Sequence, residues 1–384
     1  MSLFTDASLV MIPSGYKDQK VYSVTPTDGT GDLTFTRSND TATRVNSSGL
    51  IEKVRTNEVL YSNDFTYAGW ANVNVTITPN NTTGPFGEQN ATKVELTGAG
   101  AYIAQQISVS NPPFITFSIY AKAGTQNIFR LRESYYYGTQ VVFDLTTGTI
   151  ISGTGTIESV GSGWYKISLG IQSFAPTYGF LLAPQLLNGG GIVDGEYIYI
   201  QNAQTEYNDI ATDYIATTTS AVSVGPLANI PRLNYGSDGC PSLLLEPQRT
   251  NLLQYSDGLV PAQAFGATLT KNSIVSPDGY QNASLFTPSG GAGGVTLMTS
   301  SFSGYYTISV YLKGSVNGQK VRAFGDLQST IIDWTITTEW VRYTATFNAT
   351  NPTGQSIYLL AGSYFTPSQN NPFYVYGAQI EAGA

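Results

Sequence analysis

The sequence predicts an all-β protein with two tandem-duplicated jelly-roll or β-sandwich domains and a small irregular β module at its N-terminus. Helical periodicity is nearly absent, whereas short runs of alternating apolar and polar residues recur between clusters of Gly, Pro, Asn and Asp. Phrases from the first half of the chain also return in the second half in the same order. Such an ordered set of repeats indicates a duplicated domain.

The strand-like segment at residues 114–123 shows both the alternation and the repeat. Its sequence, FITFSIYAKA, places apolar side chains on one face and polar or amphipathic side chains on the other. Residues 305–313, with the sequence YYTISVYLK, repeat that pattern. We therefore expect a half-buried strand at the same place in each copy.

Four other markers flank these strands in both copies. In chain order they are Thr56-Asn57 with Thr250-Asn251, Gln89-Asn90 with Gln281-Asn282, Trp164 with Trp340, and Ala203-Gln204 with Ala378-Gln379. The offset between the copies falls from 191 residues at the matched strands to 176 at the tryptophans, so the second copy is 15 residues shorter between them. We predict that the first copy has an extra hairpin or elaborated loop there, which carries Tyr135, Tyr136 and Tyr137.

The composition excludes much of enzyme chemistry. The 384 residues include no histidine and a single cysteine, Cys240, which excludes histidine bases, histidine-ligated metals and an intramolecular disulfide. The formal net charge of −8, without a basic run, argues against nucleic-acid binding. Neither a signal peptide nor an apolar stretch long enough to span a membrane is recognisable. We therefore expect synthesis in a cytoplasm without export through a signal peptide, and no membrane insertion.

Several phrases resemble one known class of proteins. They are LTFTRSNDTATRVNSSGLIE at 33–52, NIPRLNYGSDGCPSLLLEPQRTNLL at 229–253, and the closing segments AQTEYNDIATDYIATTT and AQIEAGA. These phrases are similar to those of bacteriophage virion proteins of the head-fibre or tail-fibre type, which carry jelly rolls like those of carbohydrate-binding modules. The resemblance implies a non-enzymatic structural protein of the virion, assembled in the cytoplasm of a bacterial host, with weak multivalent glycan contact.

The resemblance also implies a domain organisation, because the GLIE and NIPRLNY-type segments tend to be continuous in similar proteins. The predicted domains are a discontinuous N-terminal docking module at 1–55 with 217–249, a first jelly roll at 56–216 inserted into it, and a second jelly roll at 250–384. An insertion is tolerated where its entry and exit points are close together. Val54 and Ala228 should therefore be neighbours in space.

Candidate binding residues combine flat aromatic faces, which suit the apolar side of a sugar ring, with polar groups for its hydroxyls. The densest cluster consists of Arg130, Arg132, Glu133, Tyr135, Tyr136, Tyr137 and Gln140, and its target is a glycan or a protein partner. Trp70 and Trp334 have no counterpart in the other copy and are further candidates for an exposed surface, as is Tyr364 in a polar loop. The matched residues Trp164 and Trp340 are interpreted as core residues. The alternative for the candidates is a sheet face, a subunit interface or an ordinary solvated loop.

Docking on the virion is assigned to apolar residues near the N-terminus, together with the LLLEP segment at 243–247. These residues are Leu3, Phe4, Leu9, Val10, Met11 and Ile12. The implied partners are other capsid or tail proteins and host-surface glycans. A homo-oligomer, with a trimer as the arrangement considered, would make weak glycan sites multivalent. A capsid or tail cement protein without glycan binding is the alternative.

No cofactor is predicted, and a structural calcium is kept as an alternative because similar jelly rolls often hold one. The residues that could supply oxygens are Asn63, Asp64 and Glu206 in the first copy, and Asp257 and Glu381 in the second. The acidic pair that closes such sites is replaced here by Gln201-Asn202 and Tyr376-Gly377. The resemblance therefore does not extend to the complete calcium site.

No enzymatic activity is predicted. Catalysis without histidine would need a pair of carboxylates, as in glycoside hydrolases. The candidate pairs are Glu133 with Asp144 and Asp326 with Asp333. Nothing in the sequence distinguishes them from solvated surface acids, so a carbohydrate-active depolymerase remains only the third alternative.

Overall fold

The computed structural model is all-β, which confirms the predicted fold class. It describes residues 6–17, 19–108, 114–133, 138–172, 177–184, 195–245, 249–253, 256–257, 259, 263–300, 303–325, 331–349 and 355–383. Two large clusters of buried apolar side chains mark the cores of two sandwiches. No helix in this part of the chain is long and apolar enough to cross a membrane.

The chain divides into two compact units, each built from separate stretches of sequence. One unit comprises Met1–Arg37, Thr43–Glu52 and Asn229–Ala384, and the other comprises Ser38–Ala42 and Lys53–Ala228. The unit that includes Asn229–Ala384 contains the second sandwich, and the unit that includes Lys53–Ala228 contains the first. The residues assigned to the docking module are distributed between these two units.

The N-terminal residues form short strands. These are β1 (Val10–Lys17), β2 (Lys20–Thr25), β3 (Leu33–Thr34), β4 (Thr43–Val45) and β5 (Ile51–Lys53). Strands β1, β2 and β3 form one sheet, and β4 pairs with β5. Of the residues assigned to docking, Leu9 and Ile12 are exposed and Val10 and Met11 are half-buried. Leu3 and Phe4 lie outside the described residues.

The first sandwich has two six-stranded antiparallel sheets. This part of the chain contains β6 (Arg55–Asn57), β7 (Ala71–Val73), β8 (Val75–Thr82), β9 (Ala91–Leu96), β10 (Tyr102–Ser108), β11 (Phe114–Ala123), β12 (Ile128–Glu133), β13 (Gln140–Asp144), β14 (Thr149–Ser152), β15 (Thr156–Gly161), β16 (Trp164–Gln172), β17 (Thr177–Pro184), β18 (Tyr197–Glu206) and β19 (Val222–Val224). The sheet orders are β14-β13-β12-β17-β10-β7 and β15-β16-β11-β18-β9-β8. Strands β6 and β19 pair with each other, so the chain enters and leaves this sandwich side by side.

The second sandwich has two five-stranded antiparallel sheets and is preceded by a separate strand pair. The pair is β20 (Leu233–Tyr235) and β21 (Pro241–Leu243); the sandwich strands are β22 (Ala264–Phe265), β23 (Ala267–Val275), β24 (Gln281–Pro288), β25 (Ala292–Ser300), β26 (Gly304–Gly314), β27 (Gln319–Gly325), β28 (Ile331–Ile336), β29 (Val341–Ala349), β30 (Gln355–Gly362) and β31 (Phe373–Ala382). The sheet orders are β22-β25-β30-β27-β28 and β23-β24-β31-β26-β29.

The extra residues of the first copy form two edge strands. Strand β14 extends one sheet and β15 extends the other, whereas the sheets of the second sandwich end at β28 and β29 in the described residues. The extra segment therefore does not include Tyr135–Tyr137, which precede β13 in sequence. That part of the prediction is wrong, because an offset locates a length difference only between its two flanking markers.

Alternation along the strands builds the two cores. On β11 the apolar residues Ile115, Phe117 and Ile119 are almost completely buried between the sheets. Burying one such side chain contributes about 1.5–3 kcal/mol. The opposite face of β11 is also buried, since Thr116 donates its hydroxyl to the Asn208 carbonyl oxygen at 2.8 Å. The prediction that this strand is half-buried is wrong, because the chain after β18 covers its polar face.

Candidate functional site

A cavity of about 560 Å³ lies against one sheet of the second sandwich. It is lined by Phe265, Thr296, Arg322, Phe324, Ile331, Tyr358, Leu360 and Tyr364. All five strands of the sheet β22-β25-β30-β27-β28 contribute a side chain, and Tyr364 follows β30. The cavity therefore extends across the whole width of the sheet.

Strand pairing explains why these residues meet. One row of paired residues crosses the sheet in the order Phe265, Gly294, Leu360, Arg322 and Asp333; the next is Thr296, Tyr358, Phe324 and Ile331. Paired residues of neighbouring antiparallel strands point to the same side of a sheet. The intervening residues Val321 and Ala323 belong to the core, so both rows form the outer face.

Three aromatic rings form the apolar part of the cavity. The rings of Phe324 and Tyr358 have centroids 6.1 Å apart and lie within 26° of parallel. The ring of Phe265 is 5.9 Å from that of Tyr358 and nearly perpendicular to it, at 85°. Tyr364 is 38% exposed at the rim. Flat apolar surfaces in two orientations are thus presented to a ligand.

Gly294 leaves space for the aromatic floor of the cavity, which consists of Phe265, Phe324 and Tyr358. A Cβ atom at this position would lie 2.7 Å from the ring of Phe265 and 2.7 Å from Leu360 Cδ2. Real Cβ atoms do not approach other heavy atoms so closely, so any larger residue would displace the ring. Glycine is therefore required for the close approach of Phe265 to the strand beside it.

A charged pair stands at one end of the first row. The Nε atom of Arg322 donates to Asp333 Oδ1 at 2.7 Å, and its Nη2 donates to Oδ2 at 3.0 Å. The guanidinium also lies 4.8 Å from the centroid of the Phe365 ring. The hydrogen bonds from Arg322 lower the pKa of Asp333, so this carboxylate is ionised at neutral pH. The arrangement supplies fixed donors and acceptors beside the aromatic rings without a net charge.

The sequence identified only one residue of this cavity, Tyr364. It missed Phe265, Arg322, Phe324 and Tyr358, although the alternation on β27 was available as a signal. In QKVRAFG, the apolar Val321 and Ala323 alternate with the positions of Arg322 and Phe324. That pattern places an arginine and an aromatic ring together on the face opposite the core.

Neither unmatched tryptophan offers a binding face. Trp70 is 4% exposed, packs 5.0 Å from Phe65 and donates its indole N–H to the Tyr61 carbonyl oxygen at 3.3 Å. Trp334 is 7% exposed, and its indole N–H donates to the Thr344 carbonyl oxygen at 3.3 Å. The prediction of exposed tryptophans is wrong for both. Lack of a repeat partner does not indicate exposure, because each sandwich fills its own core.

The predicted cluster of the first sandwich is partly described. Arg130, Arg132 and Gln140 lie on β12 and β13, with Arg132 directly opposite Gln140. Arg130 Nη1 donates to Gln140 Oε1 at 3.3 Å. The other members, Tyr135, Tyr136 and Tyr137, lie outside the described residues. The described part of the cluster is therefore a basic face rather than an aromatic one.

The oxygens considered for calcium have other partners. Glu206 is buried and accepts hydrogen bonds from the backbone N–H and the hydroxyl of Thr212. Asp64 Oδ1 accepts from Thr66, and Asn63 Oδ1 accepts from the backbone of Asn202 at 3.2 Å. The described residues contain no group of three or more acidic or cysteine side chains that could hold a metal ion. These side chains stabilise local turns and strand connections.

The carboxylates considered for catalysis are also engaged locally. Glu133 is fully buried and accepts from the backbone N–H of Gly138 at 3.2 Å. Asp144 accepts from the Asn127 side chain at 3.0 Å and caps the turn at Thr146. Although burial alone would raise it, these hydrogen bonds lower the pKa of Asp144. Asp326 lies outside the described residues.

Comparisons with known proteins give only distant similarities. No family model matches the chain, and no curated protein matches it. Two mutants of CBM29-2, a family 29 carbohydrate binding module, are among the similar solved structures. One shows 15% identity over 35% of this chain and 92% of the module, with a TM-score of 0.24; the other, complexed with mannohexaose, shows 16% over 36% and 92%, also with a TM-score of 0.24.

A further similar structure is the enzymatically active domain of tailspike protein 4 of bacteriophage CBA120. Its identity is 14%, and the match covers 39% of this chain but only 21% of that chain, with a TM-score of 0.25. The matched region is thus a minor part of the tailspike structure. TM-scores of this size do not establish a common ligand or activity.

Proposed function

We propose that this chain is a non-enzymatic saccharide-binding protein whose second sandwich holds a neutral glycan on its outer sheet face. The observation that carries the proposal is the cavity floored by Phe265, Phe324 and Tyr358 beside the Arg322–Asp333 pair. Ligand sites of this size are lined by apolar side chains with a few placed polar groups. Sugar rings match this composition because they combine an apolar C–H side with a rim of hydroxyls.

The shape of the floor favours a chain of sugars over a single small molecule. Residues from β22 to β28 contribute, so successive sugar units can contact successive strands. The nearly parallel rings of Phe324 and Tyr358 suit the flat side of a pyranose. Tyr364 at the rim and Thr296 on the floor add hydroxyl groups that can donate or accept hydrogen bonds.

Binding without hydrolysis is supported by the carboxylate at this site. Asp333 is held by two hydrogen bonds from Arg322, and its pKa is lowered by them. A glycosidase needs one carboxyl group with a raised pKa as acid and a second as base or nucleophile. The Arg322–Asp333 pair instead orients hydroxyl groups, since both partners keep their charge at neutral pH.

The setting that we propose is a phage virion, as the sequence resemblance implies. The discontinuous module at 1–55 with 217–249 would dock on a capsid or tail protein, and the exposed side chains of Leu9 and Ile12 are available for burial there. Homo-oligomers would multiply weak sites. One site of millimolar Kd is worth about 4 kcal/mol, and linking sites raises avidity by roughly 100–10,000-fold.

A glycan array with the full-length chain, followed by calorimetry with the best neutral oligosaccharide, tests this function. Tyr358→Ala and Phe324→Ala should each weaken binding by roughly tenfold, as expected for loss of a ring contact of about 1.5 kcal/mol. Tyr305→Ala is the matched control, because Tyr305 is 55% exposed on β26 and is not part of the cavity. Labelling of intact particles with an antibody against the chain would test the virion setting separately.

Three results would contradict the proposal in different ways. If a multivalent form of the chain binds no glycan on the array, the result would favour a capsid or tail cement protein. Release of reducing ends from a bound glycan would identify a depolymerase. Equal loss of binding in Tyr305→Ala would place the site away from the cavity.

A further inference from the structure

The outer faces of the two sandwiches present different chemistry at matched positions. In the second sandwich, Arg322 is paired with Asp333 and Phe324 with Ile331 across β27 and β28. In the first, the corresponding pairs across β12 and β13 are Arg130 with Val142 and Arg132 with Gln140. The core residues Phe129 and Leu131 alternate with the arginines just as Val321 and Ala323 alternate with Arg322 and Phe324.

Two of the four positions change the charge of the face. Val142 replaces the carboxylate that neutralises Arg322 in the second sandwich, and Arg132 replaces the aromatic ring of Phe324. The first sandwich therefore carries two guanidinium groups where the second carries a neutral ion pair and a ring. In a chain of net charge −8, with 18 basic residues against 26 acidic ones, this pair stands out.

The hydrogen bond of Arg130 across β12 and β13 goes to a neutral side chain, whereas that of Arg322 across β27 and β28 goes to a carboxylate. Arg130 Nη1 donates to the neutral amide oxygen of Gln140. Within the described residues, the buried Nε atoms of Arg130 and Arg132 have no hydrogen-bond partner. Burial and repulsion from Arg132 lower the pKa of Arg130, and an anion bound at this face would favour its charged form.

We propose, as an extension of the saccharide-binding function, that this face of the first sandwich binds a carboxylated saccharide through Arg130 and Arg132, while the second sandwich binds neutral sugars. A uronic acid carries a planar carboxylate that a guanidinium group can bind with two parallel hydrogen bonds. Gln140 is exposed beside the arginines and can bind neighbouring hydroxyls. The duplication would thus have produced two sites of different charge selectivity in one chain.

Calorimetry of the full chain with three probes tests this selectivity. The probes are oligogalacturonate, its carboxyl-reduced neutral form, and a sulfated oligosaccharide of the same length. Arg130→Gln and Arg132→Gln should each weaken oligogalacturonate binding by roughly tenfold or more, because each removes a charge-assisted hydrogen bond. The affinity should also fall with added salt, whereas neutral-glycan binding at the second sandwich should not.

An exchange of residues between the sandwiches provides the converse test. The double variant Arg132→Phe with Val142→Asp should lose oligogalacturonate binding while retaining neutral binding at the other sandwich. Phe324→Arg with Asp333→Val should gain salt-sensitive oligogalacturonate binding and lose neutral binding. Because Val142 is buried, circular dichroism should accompany the first variant, and the single substitutions Arg130→Gln and Arg132→Gln remain decisive if it does not fold.

The outcomes separate this inference from the function on which it builds. Neutral binding that depends on Tyr358, without any response to oligogalacturonate, overturns the acidic site and leaves the neutral site standing. Equal affinity for oligogalacturonate and its carboxyl-reduced form also overturns the acidic site, because Arg130 and Arg132 would then not bind the carboxylate. Tighter binding of the sulfated probe by tenfold would assign the face to sulfated sugars and reject the uronic acid.

Discussion

Trp164 donates its indole N–H to the carbonyl oxygen of Thr83 at 3.2 Å. In the second sandwich, Trp340 donates to the carbonyl oxygen of Val275 at 3.0 Å. Thr83 and Val275 are 192 residues apart, which is also the offset between Gln89 and Gln281. The same hydrogen bond therefore joins the same two places in both copies. In the first sandwich it joins the start of β16 to the residue after β8, and in the second it joins the residue before β29 to the end of β23.

This relationship predicts unequal effects of the two tryptophans on stability. Trp164 is fully buried and Trp340 is half-buried. Trp164→Phe should lower the free energy of unfolding by about 2–3 kcal/mol, since it leaves a cavity and an unpaired carbonyl group. Trp340→Phe should cost about 1 kcal/mol, because water can reach the site. Urea unfolding followed by circular dichroism measures both, and equal losses would contradict the difference in burial.

Asn57 and Asn251 perform the same task in the two sandwiches, so both should be intolerant of substitution. Asn57 is fully buried; its Nδ2 donates to the Ala203 and Ile215 carbonyl oxygens, and its Oδ1 accepts from the backbone of Val59 and Thr205. Asn57→Ala should cost about 2–4 kcal/mol, because several buried backbone groups lose their partner.

The matched substitution Asn251→Ala should show the same direction of effect. Asn251 Oδ1 accepts from the backbone of Leu253 and Ile380, each at 3.0 Å. Asn370→Ala, at an exposed position of the loop after β30, serves as the control and should change stability by less than about 0.5 kcal/mol. Loss of stability at Asn370 equal to that at Asn251 would show that the buried hydrogen bonds are not the cause.

The Arg322–Asp333 pair predicts the pH dependence of neutral-glycan binding. The pKa of Asp333 is lowered from its ordinary value of 3.8 by the hydrogen bonds from Arg322. A lowered pKa means that the contribution of the pair is present above pH 3.8 and is lost as the pH falls through the lowered value. The Kd should therefore stay constant between about pH 5 and 9, as measured by calorimetry. A change near neutral pH would assign binding to another group.

The raised pKa of Glu58 predicts that the stability of the first sandwich depends on pH. Burial raises the pKa of Glu58 above 4.5, against a smaller opposing effect of its hydrogen bond from Tyr207. The protonated form is therefore favoured by folding, and that contribution is present below pH 4.5 and lost as the pH rises through the raised value. Glu58→Gln should be more stable than the wild type at pH 7 by up to about 1 kcal/mol, with less difference at pH 4.

The control for this substitution is Glu339→Gln, because Glu339 is exposed in the second sandwich. Its stability should follow that of the wild type at both pH values. Thermal unfolding at pH 4 and pH 7 compares the three proteins. An equal shift for Glu339→Gln would attribute the effect to net charge instead of to burial of Glu58.

Alternation and repetition along the sequence predict much of the architecture. The alternation in residues 114–123 predicts β11, and the repeat places Trp164 and Trp340 at matched positions. The burial of Trp70 and Trp334 was not predicted, because alternation cannot show which other strand covers a side chain. The same limitation applies to Thr116, whose polar face is covered by the chain after β18.

The sequence by itself determined that the chain is all-β, that a sandwich is duplicated, and that no histidine or disulfide takes part. Periodicity and repetition are properties of neighbouring residues and can be read in order along the chain. Only the tertiary structure decided that Phe265, Arg322 and Tyr358 share one cavity, and that Val142 stands where Asp333 stands in the other copy. These relationships depend on the register between paired strands, which brings together residues that local alternation does not connect.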